Sequence, residues 1–552
     1  MIIARRRATW LAGIIMMLFM GTATWGRCAD STNTTDPLLD LFIKKGFVTQ
    51  KEAEQVEAEA EALRTNETQM PSVPPSKWKI SDGIKNVELF GDVRLRYEDR
   101  SAEDSGNDRI DLQRFRYSVR VGLRGDLFDQ FYYGFRMDTG ANPRSSFVTA
   151  GTSASSGAYQ GPFGKSNAGI NIGQVYLGWR PWDWLDLTVG KMPNPLYTTP
   201  MVWNGNISPE GFAERLKYTV GPVDFFATLG QFLYADFNPA TASKGLGIGL
   251  PPGGSGPGSG QKTDNIFMFA WQGGFDYHAT TNISAKIAAT LYNYTGLQRS
   301  SGSSTESPYF GDPYVGEGAY YLYGGTNQGY APGYSGYTPG HDFSSGYLPG
   351  FGSVSLPFNQ VGLNHLLVVE VPFEFNFRIS KLDARVFGDF AYNLEGAQRA
   401  EDAAAAYQNI LSTFAAVSGS TTIATNFPAQ THDDKAYQIG FELGSRDSLG
   451  LVNGSTSRRH AWEIKTYWQH IEQYSLDPNL LDTDFFEGRE NLEGVYVAVA
   501  YSFTDNLIGA FRWGHASRIN KLLGTGGSGQ DIPQMNPIND FDIYQVDLTF
   551  RF

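Results

Sequence analysis

The last residues of the chain alternate strictly between apolar and polar side chains. Tyr544, Val546, Leu548, Phe550 and Phe552 are apolar, and every residue between them is polar. Because successive side chains of a strand point to opposite faces, this segment predicts a strand with one apolar and one polar face. This two-faced strand constrains the fold more than any other feature of the sequence.

Similar alternation recurs from Val87 onward and predicts about sixteen strands. They cover residues 87–98, 114–127, 130–139, 169–180, 185–191, 213–220, 223–234, 265–277, 283–294, 365–378, 382–393, 435–443, 461–473, 493–503, 507–515 and 542–552. The connections after even-numbered strands are short, whereas most of those after odd-numbered strands are long and rich in Gly, Ser, Pro and Tyr. The longer connection near residues 446–460 is the exception.

These features predict an all-β fold, a transmembrane antiparallel β-barrel of about 16 strands over residues 87–552, with 18 strands as an alternative. The chain has 552 residues, 41% of them hydrophobic, which fits a wide barrel whose strands face water on one side. Unpaired backbone groups are costly in lipid, so the last strand is expected to pair with the first. Short turns are expected on the periplasmic side and long loops outside.

Residues 1–29 predict a secretory signal peptide. They contain three arginines at positions 5–7 and an apolar run at residues 10–20, which is short for a transmembrane anchor. Cleavage is expected after Ala23 or Ala29.

Residues 30–64 predict a periplasmic helical segment. Thr49 and Glu52 form a capping box, and a heptad seam follows at Ala53, Val56, Ala60 and Leu63. Two heptads are too few for a stable coiled coil unless a trimeric barrel holds three copies together, so a solvated helix on a tether stays open. Residues 65–86 contain three prolines and predict a linker.

Charge and residue usage exclude several classes of function. The net charge of −13 falls to −17 once the four arginines of residues 1–29 are removed, which argues against nucleic acid as a partner. Cys28 is the one cysteine, and the seven histidines are scattered without ligand spacing. The sequence therefore predicts no disulfide, no metal site and no cofactor.

The polar faces of the first three predicted strands share an unusual density of arginine. They carry Arg94, Arg96, Arg114, Arg116, Arg120, Arg124 and Arg136. Close guanidinium pairs repel by about 1 kcal/mol in water and do not lose their charge. One interpretation is a basic wall that makes a transverse field in a pore. The alternative is a structural ladder of arginine–carboxylate pairs, and both can hold at once.

Several short segments resemble the bacterial putative porin family, which is similar in style to the phosphate-selective porins. They are LLDLFIKKG at 38–46, TQKEA at 49–53, GKMPNP at 190–195, SPEGFA at 208–213 and the terminal Phe552. The resemblance spans about residues 36–552. It implies an outer-membrane channel for passive diffusion of small hydrophilic solutes, assembled as a homotrimer in the Gram-negative envelope. A last strand ending in Phe also resembles the signature that the barrel-assembly machinery recognises.

The same resemblance gives a role to the proline-rich third outer connection, residues 191–212, because the third loop of porins folds inward and narrows the pore. Glu210 and Glu214 are then candidate acids facing the arginine wall. An ordinary outward loop is the alternative.

Other classes of function receive less support. A tether that links the barrel to the cell wall through residues 30–64 is the main alternative to a pure channel. An outer-membrane lipase would need a Ser–His pair, and His470 and Ser475 point to opposite faces without an orienting acid. A soluble β-rich lectin is the weakest alternative. The sequence therefore predicts a channel and no enzyme.

Overall fold

The computed structural model describes residues 83–552 except 104–108, 141, 152–168, 236–265, 296–345, 349–351, 355–364, 402–403, 405–431, 455–457, 522, 527–530 and 533–537. The predicted signal peptide, the helical segment 30–64 and almost all of the linker lie outside the described residues. No helix in the described part is long and apolar enough to cross a membrane.

In the described part of the chain, sixteen antiparallel strands form one closed sheet. They are β1 (Glu88–Glu103), β2 (Arg109–Asp126), β3 (Phe131–Thr139), β4 (Ile170–Trp182), β5 (Leu185–Lys191), β6 (Glu210–Val220), β7 (Val223–Ala235), β8 (Ile266–Thr280), β9 (Ile283–Thr295), β10 (Leu367–Ile379), β11 (Leu382–Asn393), β12 (Lys435–Ser445), β13 (Trp462–Ile471), β14 (Leu492–Ser502), β15 (Leu507–Arg518) and β16 (Asp540–Arg551). The prediction of a sixteen-strand barrel is confirmed. A two-residue strand at Val148–Thr149 adds to β2, and a small hairpin pairs Gly346–Leu348 with Gly352–Val354.

The barrel closes between its first and last strands. β1 pairs with β16 over twelve residues, from Asp92 opposite Arg551 to Glu103 opposite Asp540. The backbones of Gly91 and Phe552 exchange two further hydrogen bonds of 3.0 and 3.1 Å. Closure leaves no open sheet edge, which is the condition for a sheet that is surrounded by lipid.

The two faces of the wall differ as the alternation predicts. Along β1 and β2, Leu95 and Phe115 expose 54% and 66% of their surface on the outer face. The residues that alternate with them, such as Arg96 and Ser118, are buried on the inner face. In this part of β1 and β2 the outer face is therefore apolar, and the polar side chains face the lumen.

The connections divide the barrel into two ends. Six of those after even-numbered strands have two to four residues and lie at one end, namely 127–130, 183–184, 221–222, 281–282, 380–381 and 503–506. Gly221 has φ +58°, which suits its place in a two-residue turn. Trp182 and Trp184 stack at 5.2 Å beside another of these turns. We call this the short-turn end and the opposite one the long-loop end.

Buried apolar side chains lie inside the barrel instead of between two layers. Connections from the long-loop end enter the lumen and supply many of them, including Met192, Met201, Trp203, Leu481 and Phe485, each at most 2% exposed. The lumen is therefore narrowed by its own connections, and charged residues of the wall meet them there.

Candidate functional site: the lumen-facing arginines

The seven arginines predicted as a wall all lie on the lumen face of β1, β2 and β3. Strand pairing sets Arg96 directly opposite Arg116, and it sets Arg120 opposite both Asp92 and Asp138. The spacing by two residues along each strand gives all of them the same face. The structure therefore brings the predicted residues together, and the side-chain contacts show what each one does.

The arginines nearer the short-turn end form a ladder of ion pairs. Arg124 donates to both oxygens of Glu88 at 2.8 and 2.7 Å. One step further in, Arg94 and Arg120 share Asp92, with shortest contacts of 2.7 and 2.6 Å. Each charge in this part of the wall has an opposite charge next to it.

Arg136 follows the same pattern on β3. It donates two hydrogen bonds of 2.7 Å to Asp138 on its own strand. Bidentate pairs of this kind fix the guanidinium plane as well as its charge. The structural interpretation of the arginine wall therefore holds for Arg94, Arg120, Arg124 and Arg136.

Nearer the long-loop end, the remaining arginines meet acids from other parts of the chain. Arg96 donates to Asp547 of β16 at 2.7 and 2.9 Å and to Asp484 at 2.8 Å. Arg114 donates to Glu98 at 2.7 Å and to Asp531 at 2.9 Å. Asp484 and Asp531 belong to the connections after β13 and β15, so the lumen wall and the inserted connections share one set of charges.

Two further arginines, which the sequence did not single out, complete this set. Arg100 is 1% exposed and contacts Glu98 at 3.0 Å and Asp531 at 3.3 Å. Arg512 on β15 pairs with Asp547. We call the connected set the arginine network, and it comprises Arg96, Arg100, Arg114, Arg116 and Arg512 with Glu98, Asp484, Asp531 and Asp547.

Arg116 is the least compensated member of the arginine network. Its nearest carboxylate, that of Glu98, is 3.7 Å away. Its Nη2 donates to the carbonyl of Phe147 at 3.4 Å, and its buried Nε has no hydrogen-bond partner among the described residues. The guanidinium groups of Arg96 and Arg116 lie over the Phe147 ring, 4.2 and 5.4 Å from its centroid. A ring face attracts cations but carries no net charge.

The acids that the connections bring into the lumen differ in their proton affinity. Burial alone would raise the pKa of Asp484, but the charges of Arg96 and Arg100 lower that pKa to about 2. Burial, followed by repulsion from Asp484, raises the pKa of Asp482 to about 6. Asp484 therefore stays ionised in the network, whereas Asp482 takes up a proton in mildly acidic solution.

Glu210 and Glu214 do not face the arginine wall, so this part of the predicted site is wrong. Ala213 is fully buried on the lumen face of β6, and both glutamates have the opposite parity. Glu210 pairs with Lys191 at 2.6 Å, and Glu214 accepts a hydrogen bond of 2.9 Å from Gln231 on the outer face. A shift of one residue in the assumed register moves every side chain of a strand to the other face.

The third outer connection, residues 192–209, folds into the lumen and reaches the far wall. The backbone N–H of Tyr197 donates to Gln272 of β8 at 2.9 Å. The hydroxyl of Thr198 donates to Glu370 of β10 at 2.5 Å, and that of Thr199 donates to Asp389 of β11. The inward alternative that the sequence left open is therefore the one the chain adopts.

This connection also joins the one after β13. The backbone N–H of Asn204 donates to the carbonyl of Leu480 at 2.7 Å, and that of Asp482 donates to the carbonyl of Pro200 at 3.2 Å. The inserted connections thus support each other beside the arginine network, and together they define the narrow part of the lumen.

The described residues give no geometry for a metal centre or for the Ser–His pair of the lipase alternative. No group of three or more His, Cys, Asp or Glu in the described ranges is arranged to hold a metal ion. His470 lies on the outer face, 3.0 Å from Glu493, while the hydroxyl of Ser475 donates to the carbonyl of Glu472 at 2.6 Å. The two residues of the lipase alternative are therefore engaged elsewhere.

A closed antiparallel barrel with an apolar outer face, a charged lumen and inward connections defines the class of outer-membrane barrel channels. The sequence model of the family described as "Putative porin" matches residues 105–552, and the chain belongs to that family. It is accordingly a bacterial outer-membrane protein that forms a channel for small solutes. No curated protein matches the sequence.

Solved porins are similar to the chain over most of its length. The anion-selective porin from Comamonas acidovorans is 7% identical and covers 85% of this chain and 99% of its own, with a TM-score of 0.38. OpdQ of Pseudomonas aeruginosa is 10% identical, covering 86% and 99%, with a TM-score of 0.36. OprB of Pseudomonas putida is 12% identical, covering 84% and 94%, with a TM-score of 0.39.

Proposed function

We propose that this porin passes small hydrophilic solutes with a preference for anions, and that the arginine network sets the preference. The observation that supports it is a charge count. Among the described residues, the network joins five guanidinium groups to four carboxylates, and the excess charge corresponds to Arg116. A fixed positive charge beside a narrow aqueous path favours anions over cations.

The experiment is a measurement of ion selectivity in planar bilayers. Purified protein is placed between unequal potassium chloride solutions, and the reversal potential gives the ratio of anion to cation permeability. Arg116→Glu should shift the reversal potential toward cations. Arg124→Glu is the matched control, because Arg124 is exposed at the short-turn end and pairs with Glu88. Equal shifts in the two variants, or none in either, would contradict the proposal.

A homotrimer is the proposed assembly, and two features of the outer face support it. Glu214 lies between Leu187 and Leu229 in the strand register, so its carboxylate would face lipid in a monomer. β5 has seven residues, which span about 18 Å of membrane at the usual rise and tilt, compared with an apolar band of about 25 Å. Both features fit a wall that is covered by a neighbouring subunit.

The proposal also includes the ends of the chain. Residues 1–29 would direct secretion, residues 30–64 would form a periplasmic helical segment, and 65–86 would link it to the barrel. β16, which closes the barrel and ends beside Phe552, would be the element recognised by the barrel-assembly machinery. Deletion of 30–64 should leave single-channel conductance unchanged, and loss of cell-wall attachment would reveal an added role as a tether.

A further inference from the structure

The connection between β12 and β13, residues 446–461, differs from the other connections at the short-turn end. It is the long exception in the sequence pattern, and its described residues are 446–454 and 458–461. Leu451 and Val452 within it are only 1% and 3% exposed. A turn that projected from the barrel into water would expose such side chains, so residues 446–454 fold inward.

The buried residues of the connection belong to the apolar cluster inside the lumen. The same cluster contains Ala498 and Ala500 of β14 and Ile508 of β15. The two alanines face the lumen and are at most 1% exposed, although small side chains by themselves cover little of a wall. The connection therefore occupies space that a small-residue stretch of the wall leaves free.

A buried carboxylate holds the connection in place. Glu463, on the lumen face of β13, is fully buried and accepts hydrogen bonds from the backbone N–H groups of Gly450 at 3.0 Å and Val452 at 2.6 Å. Gly450 has φ +97°, which an L side chain rarely adopts. The hydroxyl of Ser448 also donates to the carbonyl of Trp462 at 2.8 Å. These contacts fix the connection to the first residues of β13.

The connection touches both the arginine network and a cavity. The carbonyl of Val452 accepts a hydrogen bond of 2.8 Å from Arg512, whose other Nη pairs with Asp547. Leu449 and Asp447 line a cavity of about 760 Å³ at the short-turn end, shared with side chains of β9, β10 and β11. The connection thus extends from the cavity at the short-turn end, where Asp447 and Leu449 lie, to Arg512 of the arginine network.

We infer that residues 446–454, the first described part of the β12–β13 connection, are a second constriction element, which narrows the lumen from the end opposite to the third outer connection. Glu463 is its positioning residue, and Val452 holds Arg512 of the arginine network from the short-turn side. The inference rests on the proposed channel function. It adds that a segment at the short-turn end also limits the conductance of the channel.

Cysteine modification tests where the connection lies. Asn453 is exposed next to Val452, and the chain's one cysteine, Cys28, lies in the predicted signal peptide. In Asn453→Cys, a charged thiol-specific reagent should cause a stepwise loss of single-channel current. The control is Asp183→Cys, exposed in the two-residue turn between β4 and β5, where the reagent should leave the current unchanged. Equal responses would overturn the inference.

A second variant tests the anchor. Glu463→Gln keeps the size of the side chain but removes the charge and weakens the acceptance of two N–H groups, so open-channel conductance should rise. Glu88→Gln, at an exposed ion pair of the same end, is the control and should leave conductance unchanged. Wild-type conductance in Glu463→Gln, with the heat-dependent gel migration of a folded barrel, would overturn the inference. Absence of any current from the unmodified protein would instead refute the channel itself.

Discussion

Arg96 on β1 and Asp547 on β16 form a bidentate ion pair across the seam where the barrel closes. Their contacts measure 2.7 and 2.9 Å, both side chains are 4% exposed, and the residues stand directly opposite each other in the strand register. The pair therefore belongs both to closure and to the arginine network. Closure of the barrel brings the carboxylate of Asp547 into contact with Arg96 of the first strand.

Removal of that acid should destabilise the barrel and change its selectivity. Asp547→Asn leaves Arg96 and Arg512 without their shared carboxylate, and breaking a buried pair from one side costs about 3 kcal/mol or more. The temperature at which the folded barrel unfolds on gels should fall, and the anion preference should rise. Glu88→Gln breaks an exposed pair that solvent screens, so it should lower the stability much less. A loss of stability as large in Glu88→Gln would show that the seam has no special role.

Asp482 should make the selectivity depend on pH. Its pKa is raised to about 6, so it is neutral below that pH and adds a negative charge beside the arginine network above it. The anion preference should therefore weaken as the pH rises through about 6. Reversal potentials recorded between pH 4 and 8 check this, and Asp482→Asn should remove the transition. The same transition in the variant would assign it to another group.

Asp482 and Asp484 should also make the free energy of unfolding depend on pH, in opposite directions. The folded-state pKa of Asp482 is raised from 3.8, so its contribution to the free energy of unfolding is largest below pH 4 and falls as the pH rises toward 6. The pKa of Asp484 is lowered to about 2, so its contribution is present above pH 4 and is lost as the pH falls toward 2.

The wall of the barrel was predictable because its signal is periodic. Alternation of two residues gives the strands, and the cost of an open edge in lipid gives closure. The pairing of Arg96 with Asp547 follows from these two facts once the register of β1 against β16 is known. Arg100 was predictable in the same way, because it continues the polar face of β1. It was missed because the predicted strand ended at residue 98, whereas β1 extends to Glu103.

The charges from the connections were not predictable by the same means. Asp484 and Asp531 lie in connections without periodicity, and their contacts with Arg96 and Arg114 join residues 388 and 417 positions apart. Glu214 shows a different failure. The apolar residues Leu216, Tyr218 and Val220 mark the outer face of β6, and Glu214 has the same parity, so its assignment to the lumen conflicted with the alternation of its own strand.

The third outer connection should depend on two threonine hydroxyls. Thr198 and Thr199 donate to Glu370 and Asp389, which are buried on the far wall. In the double variant Thr198→Val and Thr199→Val both acids lose a donor, so the connection should loosen and single-channel noise should increase. Thr219→Val, which removes a similar hydroxyl–carboxylate contact at the exposed short-turn end, should leave the noise unchanged. Single-channel noise equal to that of the wild type in the double variant would contradict the role of the two hydroxyls in anchoring the third outer connection.

Glu214 provides a test of the proposed trimer. If a neighbouring subunit covers β5 and β6, Glu214→Leu removes a polar contact between subunits and should lower the trimeric fraction measured by native mass in mild detergent. If lipid covers them, the same change removes a charge from lipid and should stabilise the barrel without changing its mass. Thr466→Leu, on the outer face of β13, controls for the added apolar surface. A trimeric fraction in Glu214→Leu equal to that in Thr466→Leu would place the subunit contact elsewhere on the barrel.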